Sequence, residues 1–405
     1  MLKKYILFGV TALSVLSVRS QTRDTTFKKE TVNKTEIEIL YSHYLQDGNH
    51  SAVTGGRGTE KLTVYAPGFR IKRSIKNHSF SIKAGVDVIS SASTDNIDYV
   101  VSSASRLDAR LYMNTDLSYE LKNNVVLSAG TGISAESDYT SIPVNAGVSR
   151  TSKNKLRSWS VELQAIFDDL TYGRLKKNFV KPYYLVYPSE LRFREWYDDH
   201  LRRSFNVKFG FTQVINKKMI VGVFPAFTFQ KGLLATPFHR VYFSDNSLRP
   251  ENLPNNRSKI MLGFKANNYF EKFIVRNTLD LYSDNFGVRG IGIESEFPFS
   301  VDHTITLSPS FRFYHQESSR YFQSYGMHDI TENYYTSDHD LSGFNSYKIG
   351  MGFRYNPNKK LGRKYLFNEL NLRYALYQQD NELKAHIITF VFMIDKSYRK
   401  RFIIE

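Results

Sequence analysis

Arg106-Leu107-Asp108-Ala109-Arg110-Leu111-Tyr112-Met113-Asn114-Thr115-Asp116-Leu117-Ser118-Tyr119-Glu120-Leu121 decides the fold. Its even positions carry Arg, Asp, Arg, Tyr, Asn, Asp, Ser and Glu; its odd positions carry Leu, Ala, Leu, Met, Thr, Leu, Tyr and Leu. A period of two is that of a β-strand with one wet and one apolar face. Strands of soluble sandwiches average about five or six residues, so an alternation this long fits a tilted strand that crosses a bilayer and extends beyond it.

The same alternation recurs along the chain. It is found at 35–44, 61–74, 79–90, 106–121, 125–136, 141–152, 157–169 and 200–214, then at 219–231, 257–266, 273–284, 287–298, 303–317, 343–356, 364–378 and 384–394. These segments predict an all-β, transmembrane, antiparallel up-and-down barrel of about sixteen strands. Connection lengths agree. Tight turns are expected at 75–78, 122–124, 153–155, 215–218 and Asn267-Asn268, where Asn and Lys supply hairpin chemistry. Long connections are expected at 45–60, 91–105, 170–199, 232–256 and 318–342, with short exceptions near Ser137 and Asn285. Such asymmetry separates periplasmic turns from extracellular loops and puts both ends of the barrel in the periplasm.

The N-terminus adds an export signal. Lys3 and Lys4 precede an apolar stretch from Tyr5 to Val18, and Val18-Arg19-Ser20 fits a small-x-small cleavage pattern. The expected organisation is a signal peptide at 1–20, a periplasmic lead at 21–34, an outer-membrane barrel at 35–395 and a basic periplasmic tail at 396–405. The last apolar alternation ends near Phe392. The chain has no cysteine, which excludes disulfides, thiolate metal sites and a lipoprotein anchor.

Composition fits the same picture. Mean hydropathy is −0.40, yet a barrel shows lipid only every second residue, so it can be polar on average. Aromatic residues make up 15%, as interfacial girdles require. Cleavage after Ser20 removes three of the 55 basic residues and none of the 39 acidic ones, leaving a formal +13. The partners expected for that charge are the bilayer and lipopolysaccharide phosphates rather than nucleic acid, with the outer-membrane barrel assembly machinery required for insertion and a periplasmic partner as a further option.

Asp47-Gly48-Asn49-His50-Ser51-Ala52-Val53-Thr54-Gly55-Gly56 and Gly58-Thr59-Glu60-Lys61-Leu62 resemble the bacterial domain-of-unknown-function family 3570. Val86–Ser93, Asp108-Ala109-Arg110, Glu136 with Asp138-Tyr139-Thr140-Ser141, and Phe311-Arg312-Phe313-Tyr314 follow in that family's order. The resemblance implies an outer-membrane barrel of Bacteroidetes type without an assigned activity. It also implies frequent encoding beside a flavin-transferring enzyme and a small lipoprotein, which points to extracytoplasmic redox traffic.

Candidate functional residues fall in a few groups. Asp87, Asp108, Arg110 and Glu136 share the wet phase of three consecutive strands near one mouth, with Asp138 beside them. They read either as a charged ladder stiffening the wall or as a cation or substrate site. The 170–199 connection sets Tyr172, Tyr183, Tyr184 and Trp196 among Arg174, Arg192 and Arg194, and reads as a plug or mouth cover, or as a lipid-phosphate contact, ahead of a merely solvated loop. Gly55-Gly56-Arg57-Gly58-Thr59 lacks the Gly-Lys-Ser/Thr ending of a phosphate loop and reads as a flexible loop. Asp338-His339-Asp340 and His328-Asp329 read as solvated loop residues with no second anchored pair to complete a metal site.

No hydrolytic constellation is legible, since His303 and Ser308 point to opposite faces. No cofactor is implied. The leading function is a passive or gated pore of unspecified solute. The alternatives are a non-conducting barrel that serves as scaffold or partner, and, third, a barrel enzyme. Lys83, Arg110, Lys208, Lys265, Arg276 and Arg354 facing Asp87, Asp116, Glu162, Asp280, Glu294 and Glu369 argue against strong ion selectivity.

Overall fold

The computed structural model describes residues 33–91, 107–136, 139–170, 200–236, 239–362 and 364–397. Its main sheet is closed and antiparallel, and sixteen long strands form it. In chain order these are β1 (Asn33–Asp47), β2 (Leu62–Ile75), β3 (His78–Ser91), β4 (Leu107–Glu120), β5 (Val125–Ala135), β6 (Thr140–Thr151), β7 (Arg157–Asp169) and β8 (Leu201–Asn216). There follow β9 (Met219–Gly232), β10 (Asn256–Phe270), β11 (Phe273–Asp284), β12 (Arg289–Glu296), β13 (Ile305–Gln316), β14 (Phe344–Tyr355), β15 (Tyr365–Gln379) and β16 (Lys384–Ser397). Two short extensions, Phe299–Ser300 and Lys359–Leu361, thicken the rim at the short-turn end.

Each strand pairs with its sequence neighbours, and β1 pairs with both β2 and β16. That last pairing, from Lys34↔Ser397 to Asp47↔Lys384, removes the sheet's edges. The ladder reaches Ser397, so the last strand runs past Phe392 and takes in Lys396, which the sequence assigned to the tail. Pairing rather than hydropathy sets this boundary, because backbone amides bond whatever side chain they carry.

Turn chemistry is as physics requires at most sites. Lys76, Asn123, Asn124 and Lys155 take positive φ at the β2–β3, β4–β5 and β6–β7 turns. The turn expected at Asn267-Asn268 is not there. Both asparagines pair within β10, with Arg276 and Val275 on one side, and the reversal falls at Glu271 and Lys272. Asn-Asn has turn chemistry, but Phe270 and Phe273 stack across the true turn with ring centroids 5.1 Å apart, and moving the reversal back would break that pair. At the same end Asp302 accepts from the backbone N–H of Thr304 (2.6 Å), the Thr304 hydroxyl (2.8 Å) and the N–H of Ile305 (2.8 Å). These bonds hold its carboxyl below the ordinary range.

The outer face is apolar. Ile39, Ile71, Leu111, Met113, Leu117, Ile133, Leu163, Phe205, Phe229, Ile260, Ile293, Ile349 and Leu372 are all exposed on the outward parity. Tyr119, Trp159, Phe270, Phe273, Phe299 and Tyr365 ring the short-turn end on the same face, the place of an interfacial aromatic girdle. Among the described residues no helix is long and apolar enough to cross a membrane.

Parity gives a direct test. Met113→Arg places a charge on the outward face near the middle of β4 and is expected to cost about 2–4 kcal/mol in lipid, whereas Asn114→Arg, one residue on and inward, costs well under half of that. Denaturant unfolding of both variants in vesicles reads the difference, and equal costs would mean that the strand phase is wrong.

Candidate functional site: the inner wall and the long-loop rim

The inner wall is an ion-paired surface, and the strand register makes it so. Glu38 stands opposite Arg70, Asp87 opposite Arg110, Glu162 opposite Lys208, Asp168 opposite Arg202, Arg276 opposite Glu296 and Glu294 opposite Arg312. Each of these register pairs is an ion pair; Lys208–Glu162 measures 3.4 Å, Arg202–Asp168 2.7 Å and Arg276–Glu296 2.9 Å. Lys348 on β14 reaches Glu294 at 3.4 Å, and Arg373 on β15 leans to Glu296 at 3.0 Å. Arg276, Arg354 and Arg373 thus gather on one stretch of wall beside Ser308 and Gly352, whose small size leaves them room.

One pair nearly shut off from water belongs to β7 and β8. Asp168 and Arg202 are 3% and 5% exposed, and the Tyr139 hydroxyl donates to the second Asp168 oxygen at 2.8 Å. These side chains stand at the base of the 170–199 connection, where the Leu170 N–H donates to the His200 carbonyl (2.8 Å) and Leu170 is fully buried. Tyr172, Arg174, Tyr183, Tyr184, Arg192, Arg194 and Trp196 lie outside the described residues, as does Asp138.

Of the mouth group, Asp87 and Arg110 are joined as an ion pair. Asp108 stands two residues nearer the rim, buried, and accepts from the Ala109 N–H at 2.8 Å. Glu136 follows the end of β5, its N–H donating to the Tyr139 carbonyl at 2.7 Å. Elsewhere Lys83 lies over the Tyr112 ring (5.6 Å), Lys265 over Phe224 (5.2 Å), Arg354 donates to the Thr306 hydroxyl (3.4 Å) and Glu369 accepts from Asn371 (3.2 Å).

On β5 and β6 the wall is thin. Ser128, Gly130, Gly132 and Ser134 face inward, followed by Asn145 and Gly147. A methyl group at Gly130 would strike the Asp116 carboxylate and the Asn145 amide oxygen, and one at Gly132 the Asn114 amide oxygen. The neighbours' polar ends therefore lie down over these glycines.

The long-loop rim is built, not solvated. Between β9 and β10, Arg240–Tyr242 and Leu248–Pro250 form a small hairpin. Val241 and Phe243 from it pack with Tyr335 of the β13–β14 connection. His328, 0% exposed, sits beside them, with Nδ1 2.6 Å from Glu332 and Nε2 3.0 Å from the Thr336 carbonyl. The solvated reading holds for Asp329, which is exposed, and fails for His328 and Asp338, because two loops far apart in sequence bury each other, which neither loop's polar composition reveals. The 55–59 loop is seated in the same assembly. Gly55, Gly56 and Gly58 all take φ between 80° and 87°, and a side chain at Gly56 would meet the Ser337 carbonyl at 2.7 Å. His303 lies in the turn before β13, so it forms no pair with Ser308.

The rim also brings Asp338, from the Asp338-His339-Asp340 stretch, together with two residues that no linear motif marks. His239, Glu251 and Asp338 offer one nitrogen and two carboxylate oxygens within 4.8 Å of one another.

Comparison with known proteins gives a family and a distant set of structures. The profile of a family described as "Protein of unknown function (DUF3570)" matches residues 6–389. Crystal structures of OccK1 (OpdK) from Pseudomonas aeruginosa (9% identity, 90% of this chain and 99% of that one, TM-score 0.41) and of a BenF-like porin from Pseudomonas fluorescens Pf-5 (7%, 90% and 99%, TM-score 0.43) are similar to it. OpdQ of Pseudomonas aeruginosa matches at 9% identity over 92% of this chain and 100% of that one, with a TM-score of 0.42. No curated protein matches the chain.

Removing one partner of a buried ion pair strands the other. Arg202→Gln is therefore expected to cost about 3–5 kcal/mol, and the double variant Asp168→Asn/Arg202→Gln to recover most of it. A double-mutant cycle by denaturant unfolding checks this; a loss that the double variant fails to recover would assign the cost to packing instead.

Proposed function

We propose a pore for small polar solutes as the function of this chain, which belongs to the DUF3570 family. The observation that carries the reading is the closed ring of sixteen strands with an ion-paired inner wall and an apolar outer face. With strands about 4.8 Å apart and tilted by about 40°, such a ring has a backbone diameter of roughly 30 Å. Barrels of this size leave an aqueous channel that wall side chains do not fill. Opposed charges keep that wall wet without giving it one sign, which suits solutes carrying both charge and polar groups better than selection of one ion.

Residues 1–20 direct export, and the barrel resides in the outer membrane, with its apolar belt against lipid and its basic excess toward lipopolysaccharide phosphates. Insertion there calls for the barrel assembly machinery. Asp87, Asp108, Arg110, Glu136 and Asp138 form the polar lining of one mouth sector. The 170–199 connection, bearing Tyr172, Arg174, Tyr183, Tyr184, Arg192, Arg194 and Trp196, covers the mouth or enters it. The clamp of Leu170, His200, Asp168 and Arg202 at its base supports a loop that leaves the wall from a fixed point.

Planar-bilayer recording of the purified protein tests the reading. Stepwise conductance is expected, and removal of residues 175–195 is expected to raise it while heat-modifiable gel mobility stays unchanged. Absence of conductance in both the full chain and the deletion variant would turn the assignment to a scaffold, and recovery from the soluble periplasmic fraction would overturn the membrane reading.

A further inference from the structure

The rim trio has the makings of a metal site. The small hairpin sets Arg240 opposite Pro250, and the next step outward sets His239 opposite Glu251, whose N–H donates to the His239 carbonyl at 2.9 Å. Asp338 arrives from the β13–β14 connection, fixed by paired N–H···O bonds between Asn252 and Tyr335 and by its own N–H donating to the Thr336 hydroxyl at 3.0 Å. His239 Nδ1 then lies 3.6 Å from Glu251 Oε1 and 3.5 Å from Asp338 Oδ2. Tetrahedral ligands at about 2.0–2.2 Å from one ion stand about 3.3–3.6 Å apart, so both nitrogen–oxygen distances are those of ligands on a shared cation, and the two carboxylate oxygens lie within 4.8 Å of each other.

Burial argues the same way. Glu251 and Asp338 are 2% and 8% exposed, so two carboxylates lie out of water on either side of one imidazole, where a divalent cation would be held by all three. His239 Nδ1 is shut off from solvent and has no hydrogen-bond partner among the described residues, although both carboxylates face it. The outer contacts are those that hold metal ligands in place. Glu251 Oε2 accepts from the Thr236 N–H (2.6 Å), its Oε1 accepts from the Thr336 hydroxyl, and Asp338 Oδ1 accepts from the Asp340 N–H (3.0 Å). These bonds leave Asp338 Oδ2 turned toward the histidine.

We propose that His239, Glu251 and Asp338 bind a first-row divalent cation of the Zn²⁺ class, which ties the β9–β10 connection to the β13–β14 connection at the long-loop rim. One imidazole with two carboxylates suits Zn²⁺ better than Ca²⁺, which takes six to eight oxygens. A fourth position is left for water. In a chain without cysteine, such an ion takes the cross-linking role that a disulfide fills elsewhere. The site does not depend on the pore reading.

The test uses full-length protein, without a histidine tag, stripped with chelator in detergent and titrated with ZnCl₂ by calorimetry. One Zn²⁺ per chain is expected, with a rise in the unfolding temperature that chelator reverses. His239→Ala is expected to weaken binding more than about 100-fold, beyond what loss of an outer contact costs, and to abolish the thermal shift. Asp338→Asn, which preserves shape and the Asp340 contact, serves if the alanine variant does not fold and should weaken binding likewise. Co²⁺ in place of Zn²⁺ should show the visible bands of four-coordination in the wild type alone. Absence of saturable binding, equal affinity in either folded variant, or a preference for Ca²⁺ would overturn the proposal.

Discussion

The whole architecture rests on one demand: backbone N–H and C=O groups inside hydrocarbon must find partners, at several kcal/mol for each that does not. A sheet meets this demand only when its first and last strands join. Here β1 and β16 do so along fourteen consecutive register pairs, although the two strands lie at opposite ends of the chain. The seam is reinforced where Lys34 meets Asp395 at 2.8 Å. Once the ring is closed, strand parity is fixed all the way round, and every side chain is committed either to lipid or to the interior. Both rims follow from it too, since each connection must start and end on the same circle.

The two faces are stabilised by different physics. Outward side chains need no specific neighbours, only the absence of charge, and leucine, isoleucine, methionine and phenylalanine serve interchangeably. Inward ones must satisfy one another across a fixed spacing between strands. The register answers with opposite charges on facing positions, so that Glu38, Asp87, Glu162 and Asp168 each find a base on the next strand. Pairs such as Lys208 with Glu162, nearly half exposed, contribute at most about 1 kcal/mol. Asp168 with Arg202 is a different case, because separating those charges leaves one of them buried.

How much of this could be read beforehand depends on whether the determining interaction is local. Alternation is a local signal, and all sixteen strands were legible from it, the 157–169 and 273–284 segments to the residue. Asn267-Asn268 misled because its turn chemistry was outweighed by the Phe270–Phe273 stack just beyond it. The end of β16 was hidden because pairing with β1 is decided some 350 residues away. The rim was hidden for the same reason: Asp338 stood in a stretch that lacked a second anchored pair, His239 and Glu251 have unremarkable flanks, and only the packing of Val241 and Phe243 on Tyr335 brings the three into register. A histidine and an acid flanking the Asp245-Asn246-Ser247 turn signal at similar distances were the one feature of the sequence that could have suggested the first two.

The glycines of β5 and β6 carry a consequence for the shape of the interior. Because Asn114, Asp116 and Asn145 rest their ends over Gly130 and Gly132, these side chains run tangentially along the wall rather than radially toward the axis. This sector of the wall is therefore thinner than one whose side chains stand toward the axis. A single methyl group at either glycine would tilt a polar side chain inward, so the calibre of the barrel can be retuned over evolution by glycine–alanine exchange, with every charge left in place.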